Sequence, residues 1–233
     1  MNTPPTDGLT GAARLWAELD EAWLVAFGQA WDALRSGNIA VGACIATPDG
    51  EVIRAARNRV ADTSGPVGEV FGTSLAHAEI NVLARMPFRG RRDLVLTTTL
   101  QPCLQCAAAI RLGRVAAVRF AGPDRYWDGC HEFGKLSPRE QTWKQPEQFG
   151  PRPDELGLFA TLITRFGPGL EFRLEKALRE IGEGPIIDLA LDIERSRELR
   201  RLTAMEAGEA FEYLWPRLEE LARLEASQGS PAR

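Results

Sequence analysis

The sequence predicts an α/β protein in which a mixed sheet is packed between helices and a helical extension follows. Three observations lead to this fold class. Helix, hairpin, helix, strand, helix and strand patterns succeed one another up to residue 122, an order typical of a sheet covered by helices, with parallel strands after the second helix. Apolar residues make up 44% of the 233 residues, ample for a core in one or two domains. From residue 154 onward the patterns are helical only.

The first element is a helix with a wide apolar stripe. Residues 1–9 show no periodicity and are predicted as a disordered arm. From residue 15 to 34, apolar side chains recur at helical spacing. A row of tryptophans (Trp16, Trp23 and Trp31) can form a stacking surface. Because every member falls on one helix face, we interpret the row as core packing.

A β-hairpin and a long loop come next. Residues 39–47 and 51–57 are predicted as strands, joined by the strong turn sequence Pro48-Asp49-Gly50. Residues 58–72 contain three glycines and one proline with little periodicity. A loop of that length inside a folded domain is usually functional.

Two further helix–strand pairs complete the predicted sheet. In chain order they are a helix over 73–86, a strand over 93–99, a helix over 103–112 and a strand over 115–121. Thr73 or Ser74 can cap the first of these helices, and Pro102 opens the second.

The rest of the chain is predicted to be a helical extension. Helical spacing covers residues 154–166, 170–181, 185–200 and 203–226. We therefore divide the chain into a domain over residues 10–150 and an extension over 151–233. The extension can cover a pocket, mediate dimerisation or be an ornament, and its periodicity does not choose between these roles.

Charge and composition narrow the functional classes. The formal net charge is −4, so no global positive field recruits nucleic acid. The N-terminal residues lack the pattern of a secretory signal, and no apolar stretch reaches the ~18 residues of a membrane span. The chain has four cysteines, among them a Cys-x-x-Cys pair, which outside secreted proteins is more often metal-binding or redox-active than a structural disulfide. We expect a reducing, cytoplasmic location.

One group of residues has the spacing of a catalytic metal site. His77 lies two residues before Glu79, and Cys103 lies three residues before Cys106. The two cysteines share one helix face, and thiolate with imidazole suits zinc better than magnesium or calcium. Three protein ligands leave the fourth zinc position open, as a catalytic site requires, and the carboxylate can move protons. The chain has only two histidines, which excludes the common hydrolase sites with three histidine ligands.

The motif H-x-E…P-C-x-x-C is the signature of zinc nucleobase deaminases. The similarity extends to the segments Val41-Gly42-Ala43, Asn58-Arg59-Val60, His77-Ala78-Glu79-Ile80-Asn81 and Thr98-Thr99-Leu100-Gln101-Pro102-Cys103. Over residues 12–130 the chain resembles the cytidine deaminase superfamily, in particular the branch of tRNA adenosine deaminases and bacterial guanine deaminases. The resemblance implies a cytidine deaminase-like three-layer α/β/α sandwich and a homodimer.

The resemblance also implies roles for single residues. His77, Cys103 and Cys106 would bind zinc, which activates water, and Glu79 would carry the proton to the substrate ring and the departing ammonia. Asn58 aligns with an asparagine that contacts substrate, although a loop asparagine in a turn is the alternative. Trp127 could stack on a base and Asp128 could accept a hydrogen bond from an exocyclic amine; a surface loop with an aromatic anchor is equally consistent with the sequence.

Two positions depart from the pattern of the superfamily. Gln101 stands where most relatives have glutamate, and Ala40 replaces a common proline. Neither change removes a ligand or Glu79, so we expect both to affect substrate choice or tuning.

Three functions follow in order of preference. The first is a hydrolytic deaminase of a free base or nucleoside, such as guanine, cytosine or a related amino-heterocycle, favoured by Asn81 where the tRNA-editing type usually has methionine and by the acidic net charge. The second is editing of tRNA or single-stranded DNA, which would need a basic groove. The third is a zinc-stabilised binding module without catalysis, against which the intact Glu79 argues.

Overall fold

A mixed five-stranded sheet forms the centre of the molecule. The computed structural model describes residues 9–87, 90–130, 132, 138, 142, 144–167 and 172–227. The strands are β1 (Gly42–Ala46), β2 (Val52–Arg57), β3 (Val95–Leu100), β4 (Ala117–Gly122) and β5 (Glu147–Phe149), in the spatial order β2-β1-β3-β4-β5. Strand β1 pairs antiparallel with β2 and β3, whereas β3, β4 and β5 are parallel. The predicted mixed sheet is confirmed; the short, exposed β5 was not predicted.

Helices cover both faces of this sheet. Those of the first half are α1 (Gly11–Ala17), α2 (Glu21–Arg35), α3 (Ala78–Ala84) and α4 (Leu104–Gly113). Along β1, Ala43 and Ile45 pack into the cluster that includes α3, while Cys44 packs with Ala22 of α2 on the opposite face. Successive side chains of a strand point to opposite faces, so β1 is buried between two helical layers. The α/β/α architecture is confirmed.

Helix α2 approaches β1 so closely that only glycine fits at the contact. A Cβ atom on Gly42 would lie 2.2 Å from the carbonyl oxygen of Ala26 and 2.3 Å from the backbone nitrogen of Ala30. Real Cβ contacts are never this short, so the packing of α2 on the sheet depends on this residue.

The single helix predicted from residue 15 to 34 is wrong: the chain forms two helices that break at residues 18–20. The side chain of Asp20 accepts a hydrogen bond of 3.1 Å from the backbone N–H of Trp23 and so begins α2 anew. The tryptophan row is nevertheless core, because Trp23 and Trp31 are only 4% and 1% exposed.

The helical extension is present as α5 (Glu155–Ile163), α6 (Phe172–Glu180), α7 (Gly184–Arg195), α8 (Leu199–Leu202) and α9 (Ala207–Ser227). Phe159 of α5 and Phe211 of α9 belong to the same apolar cluster as Phe27 and Trp31 of α2. Helices on both sides of residue 150 thus share one core, and the division at that residue stays a prediction. Except for exposed Leu9, the predicted disordered arm lies outside the described residues. None of the described helices has the length and apolar character of a membrane span.

Candidate zinc site

Two helix N-termini bring the three sulfur and nitrogen ligands together. His77 is the N-cap of α3, which begins at Ala78 and not at the predicted residue 73, because residues 73–76 form a turn closed by the bond from Ala76 N–H to the Thr73 carbonyl. Cys103 is the N-cap of α4, and Cys106 lies one turn further on. The side chains of these caps are left free to face each other, since neither caps its own helix.

The distances among the three ligand atoms suit a tetrahedral metal. The Nδ1 atom of His77 lies 3.5 Å from Sγ of Cys103 and 3.4 Å from Sγ of Cys106, and the two sulfur atoms are 3.6 Å apart. Zinc with bonds of about 2.3 Å to sulfur and about 2.0 Å to nitrogen requires ligand atoms roughly 3.5–3.8 Å apart. The donor set therefore fits zinc in both chemistry and spacing, and three ligands leave one position for water or substrate.

In the metal-free triad, the pKa values of the two cysteines shift in opposite directions. Hydrogen bonding with Cys106 is the main reason that the pKa of Cys103 falls to about 4, whereas the same contact and burial raise the pKa of Cys106. Burial alone would lower the pKa of His77, but its contact with Cys103 and the charge of Glu79 outweigh burial and raise it. Because a metal binds thiolate and neutral imidazole, zinc binding at this site releases protons.

Glu79 is a buried carboxyl group beside the triad. It is 3% exposed, its Oε1 accepts a 3.0 Å hydrogen bond from the hydroxyl of Thr98 on β3, and its Oε2 lies 3.4 Å from Sγ of Cys106. Burial raises the pKa of Glu79, with partial compensation from His77. A carboxyl group with a raised pKa next to a metal position is suited to proton transfer near neutral pH. The sequence motif contained no signal for its partner Thr98.

Asn58 begins the long loop, and a backbone hydrogen bond ties this point of the chain to the segment just before His77. The backbone N–H of the next residue, Arg59, bonds the carbonyl of Ala76, which directly precedes His77. Asn58 is 2% exposed, and its Oδ1 accepts a 3.1 Å bond from the backbone of Val60. The structure thus places Asn58 in a turn next to the site, with one of its two polar groups engaged locally.

A buried charge network holds the same loop. Asp62 accepts hydrogen bonds from Asn38 at 2.6 Å, from Arg57 at 2.8 Å and from Arg59 at 2.7 Å. Burial acts to raise the pKa of Asp62, but these three donors outweigh it and lower the pKa below its ordinary value. Sequence reasoning missed this network, since its members are scattered over four elements.

Glu69 and Asn81 also attach the long loop to the rest of the domain. Glu69 pairs with Arg59 and, at 3.2 Å, with Arg85 of α3. Asn81 is fully buried and bonds both polar groups of the Val70 backbone, at 2.7 Å and 3.0 Å. Its role is therefore to dock the loop on α3.

The loop after β4 contains the other predicted substrate residues. Residues Arg125–Trp127 form a short 3-10 turn, and Trp127 is 38% exposed next to exposed Asp128. Gln101 joins this loop to the segment that carries Cys103: its Oε1 accepts from Asp124 N–H at 3.2 Å, and its Nε2 donates to Asp128 at 3.3 Å. Gln101 thus has an observed structural role, whereas Ala40 is simply a buried residue.

Asp124 lies at the start of the loop after β4, and no sequence pattern singled it out. It is 8% exposed, and burial raises its pKa to about 6, partly opposed by Arg165. Arg165, just after the end of α5, itself forms a buried ion pair at 2.8 Å with Glu183. The extension therefore supplies charges close to the site.

Within the described part of the chain, His77, Cys103 and Cys106 are the one group of three or more ligand-type side chains close enough to hold a metal. Cys130 is half-buried and is not part of this group, and its neighbour His131 lies outside the described residues.

Comparison with known proteins identifies the region around this site. Residues 18–121 match the cytidine and deoxycytidylate deaminase zinc-binding region. The chain is 30% identical over 121 residues to tRNA-specific adenosine deaminase 2 of Danio rerio, covering 47% of this chain and 52% of that protein. It is 31% identical over 109 residues to tRNA-specific adenosine deaminase of Aquifex aeolicus, covering 45% of this chain and 66% of that protein. The chain thus spans between half and two thirds of these two relatives.

Solved structures give weaker matches. One, from a study of A-to-I editing by tRNA:A34 deaminases, has 26% identity and a TM-score of 0.44 over 55% of this chain and 95% of that chain. A guanine deaminase from Nitrosomonas europaea has 18% identity and a TM-score of 0.41 over 71% of this chain and 96% of that chain. The family match and the ligand geometry agree with each other: residues 18–121 match the zinc-binding region of cytidine and deoxycytidylate deaminases, and they contain the three side chains that can hold a metal.

Proposed function

We propose that the protein is a zinc-dependent hydrolytic deaminase that converts the amine-bearing carbon of a free nucleobase or nucleoside to a carbonyl and releases ammonia. Guanine, cytosine or a related amino-heterocycle is the proposed substrate. One observation carries the proposal: the buried carboxyl group of Glu79 lies beside three ligand atoms with tetrahedral zinc spacing. A site that only stabilised the fold would gain nothing from this carboxylate, whose burial is unfavourable.

We assign His77, Cys103 and Cys106 as the zinc ligands and Glu79 as the proton carrier. Zinc in such a site supplies Lewis acidity that lowers the pKa of water toward neutrality. Glu79 would take one proton from the attacking water and pass it to the ring nitrogen. It would then take the remaining proton of the hydroxyl group added to the ring carbon and pass it to the amine as the C–N bond breaks. Thr98 holds the carboxylate in place through its hydroxyl.

The proposed substrate contacts are Asn58, Trp127 and Asp128. Local bonding of Asn58 through Oδ1 leaves its Nδ2 group to donate to a base or sugar. Trp127 and Asp128 are exposed on the loop beyond Gln101, where a ring face can stack and a carboxylate can accept from an amine.

Arginine pairing supports a small substrate over a nucleic acid. The arginines of the long loop and its surroundings, Arg57, Arg59 and Arg85, are occupied by Asp62 and Glu69. Nucleic-acid binding depends on basic groups that reach phosphates, and the net charge of −4 works against it. The second candidate is adenosine in tRNA, favoured by the curated relatives, which are tRNA-specific adenosine deaminases.

We further propose a homodimer and a cytoplasmic location. Leu75 lies shortly before α3, Leu104 and Leu112 lie on α4, and the three are 56%, 47% and 69% exposed. Exposed leucines on such a surface favour burial against a second copy. None of the four cysteines forms a disulfide, which agrees with a reducing compartment.

The test is ammonia release by purified protein of known zinc content from a panel of bases, nucleosides and tRNA. Glu79→Ala serves as the control, and it should retain zinc while turnover falls by about two to four decades. Release from a base or nucleoside supports the first candidate, and release from tRNA alone supports the second. A fully active Glu79→Ala protein would overturn the mechanism, and a zinc-loaded protein inactive on the whole panel would favour a zinc-stabilised binding module.

A further inference from the structure

Gln101 occupies a position from which one side chain reaches both ends of the loop after β4. Its main chain still pairs with the sheet, since its N–H bonds the Gly122 carbonyl at 2.9 Å. Its amide then uses both polar atoms on the loop: Oε1 accepts from the backbone of Asp124, and Nε2 donates to the carboxylate of Asp128. The proposed zinc ligand Cys103 follows two residues after Gln101. Gln101 therefore joins the loop to the segment that carries this ligand.

Among the described residues, few other hydrogen bonds hold the tip of this loop; one of them runs from Gly129 N–H to Oδ1 of Asp128 at 2.9 Å. Its short turn is closed by one backbone bond, from Trp127 N–H to the Asp124 carbonyl, and Tyr126, Trp127 and Asp128 are all exposed. On the far side Arg125 pairs with Glu225 of α9 at 3.3 Å. Exposed turns with few hydrogen bonds open at low cost, so each such attachment affects the order of the tip.

The side chain of residue 101 lies opposite the carboxylate of Asp128, so a charge on residue 101 would act directly on that carboxylate. A glutamate side chain would keep the acceptor for Asp124 N–H but would lose the donor toward Asp128. It would also place a second carboxylate about 3.3 Å from the first. Like charges at that separation repel, so Asp128 would turn away.

We propose that Gln101 is a positioning residue that holds Asp128, together with the edge-to-face rings of Tyr126 and Trp127, at the edge of the zinc site, and that its uncharged amide is what permits a carboxylate to stand there. The proposal rests on the proposed function in one respect, the role of Asp128 and Trp127 as substrate contacts. The attachment itself is a property of the folded chain and can be tested without substrate.

The first experiment measures amide hydrogen exchange of residues 124–129 in the zinc-loaded full chain. Gln101→Glu should raise the exchange rate of the loop about tenfold, as expected for the loss of a charge-assisted hydrogen bond. Adding Asp128→Asn should restore protection, because the amide of the new asparagine can donate to the new carboxylate. The matched control is Gln105→Glu, which adds the same charge near the zinc ligands but lies opposite the Ser74 carbonyl; it should leave the loop unchanged.

Gln101→Met covers the case in which Gln101→Glu does not fold. It removes both bonds without adding charge, so it should loosen the loop and should not be rescued by Asp128→Asn. The proposal is overturned if Gln101→Glu or Gln101→Met exchanges like the wild type, or if Asp128→Asn fails to restore Gln101→Glu.

Activity then separates positioning from general damage. On a substrate of the wild type, Gln101→Glu should raise KM about tenfold with a smaller change in kcat. A loss confined to kcat, with zinc retained, would contradict the assigned role. A wild type that deaminates nothing refutes the proposed function only, because the exchange measurements are independent of turnover.

Discussion

Thr98 offers a sharp test of how the fold controls Glu79. Thr98→Val keeps the shape of the side chain and removes the hydroxyl that donates to Oε1 of Glu79 at 3.0 Å. Both residues are buried, at 0% and 3% exposure, so no water replaces the bond. A hydrogen bond to a charged group contributes about 1.5–3 kcal/mol. Lost in full from the transition state, that amount lowers kcat about ten- to hundredfold.

The matched control is the adjacent Thr97→Val. Thr97 is equally buried, but its hydroxyl has no hydrogen-bond partner among the described residues. Its removal should leave kcat unchanged and raise the free energy of unfolding by about 1 kcal/mol, because an unsatisfied buried hydroxyl is lost. Steady-state ammonia release and urea denaturation measure both quantities. Equal kcat values for the two variants would refute the assigned role of Thr98.

Three further predictions concern the metal, the core and the loop. Cys106→Ser should lose zinc on dialysis against a chelator, whereas Cys130→Ser should keep about one zinc ion per chain by elemental analysis, since Cys130 lies outside the triad. Gly42→Ala should lower the unfolding free energy in urea by about 1–3 kcal/mol because its Cβ would meet α2, whereas Gly28→Ala, with open space around it, should raise it by up to about 1 kcal/mol. The hydrogen bonds that lower the pKa of Asp62 stabilise the folded state above the unfolded pKa of about 3.9, and this contribution is lost as the pH falls through the lower folded pKa. Asp62→Asn should therefore lower Tm at pH 7, and its difference from the wild type should shrink in scans below about pH 4; a constant difference across that range would count against the network.

Much of the fold was predictable because its signals are local. Turn residues, the periodicity of apolar side chains and helix-opening prolines lie within a few residues of the elements that they define. Where a prediction was wrong, a single side chain decided otherwise: Asp20 caps α2 and divides the predicted first helix. The exposed strand β5 has three residues only, too few to give a periodic pattern.

The sequence by itself predicted the three candidate zinc ligands, which the structure brings together, and Glu79 beside them. Their spacing places each pair at the start of one helix, so the motif already contains the geometry of each half-site. The family match over residues 18–121 agrees with that reading.

Only the tertiary structure decided what surrounds these residues. Thr98 meets Glu79 from 19 residues away, Asn38 reaches Asp62 across 24, and Gln101 reaches Asp128 across 27. No spacing rule links residues so far apart, because such contacts depend on which strands pair and on how helices pack over them. The extension likewise packs on the first half of the chain through α5 and α9, which share one core with α2.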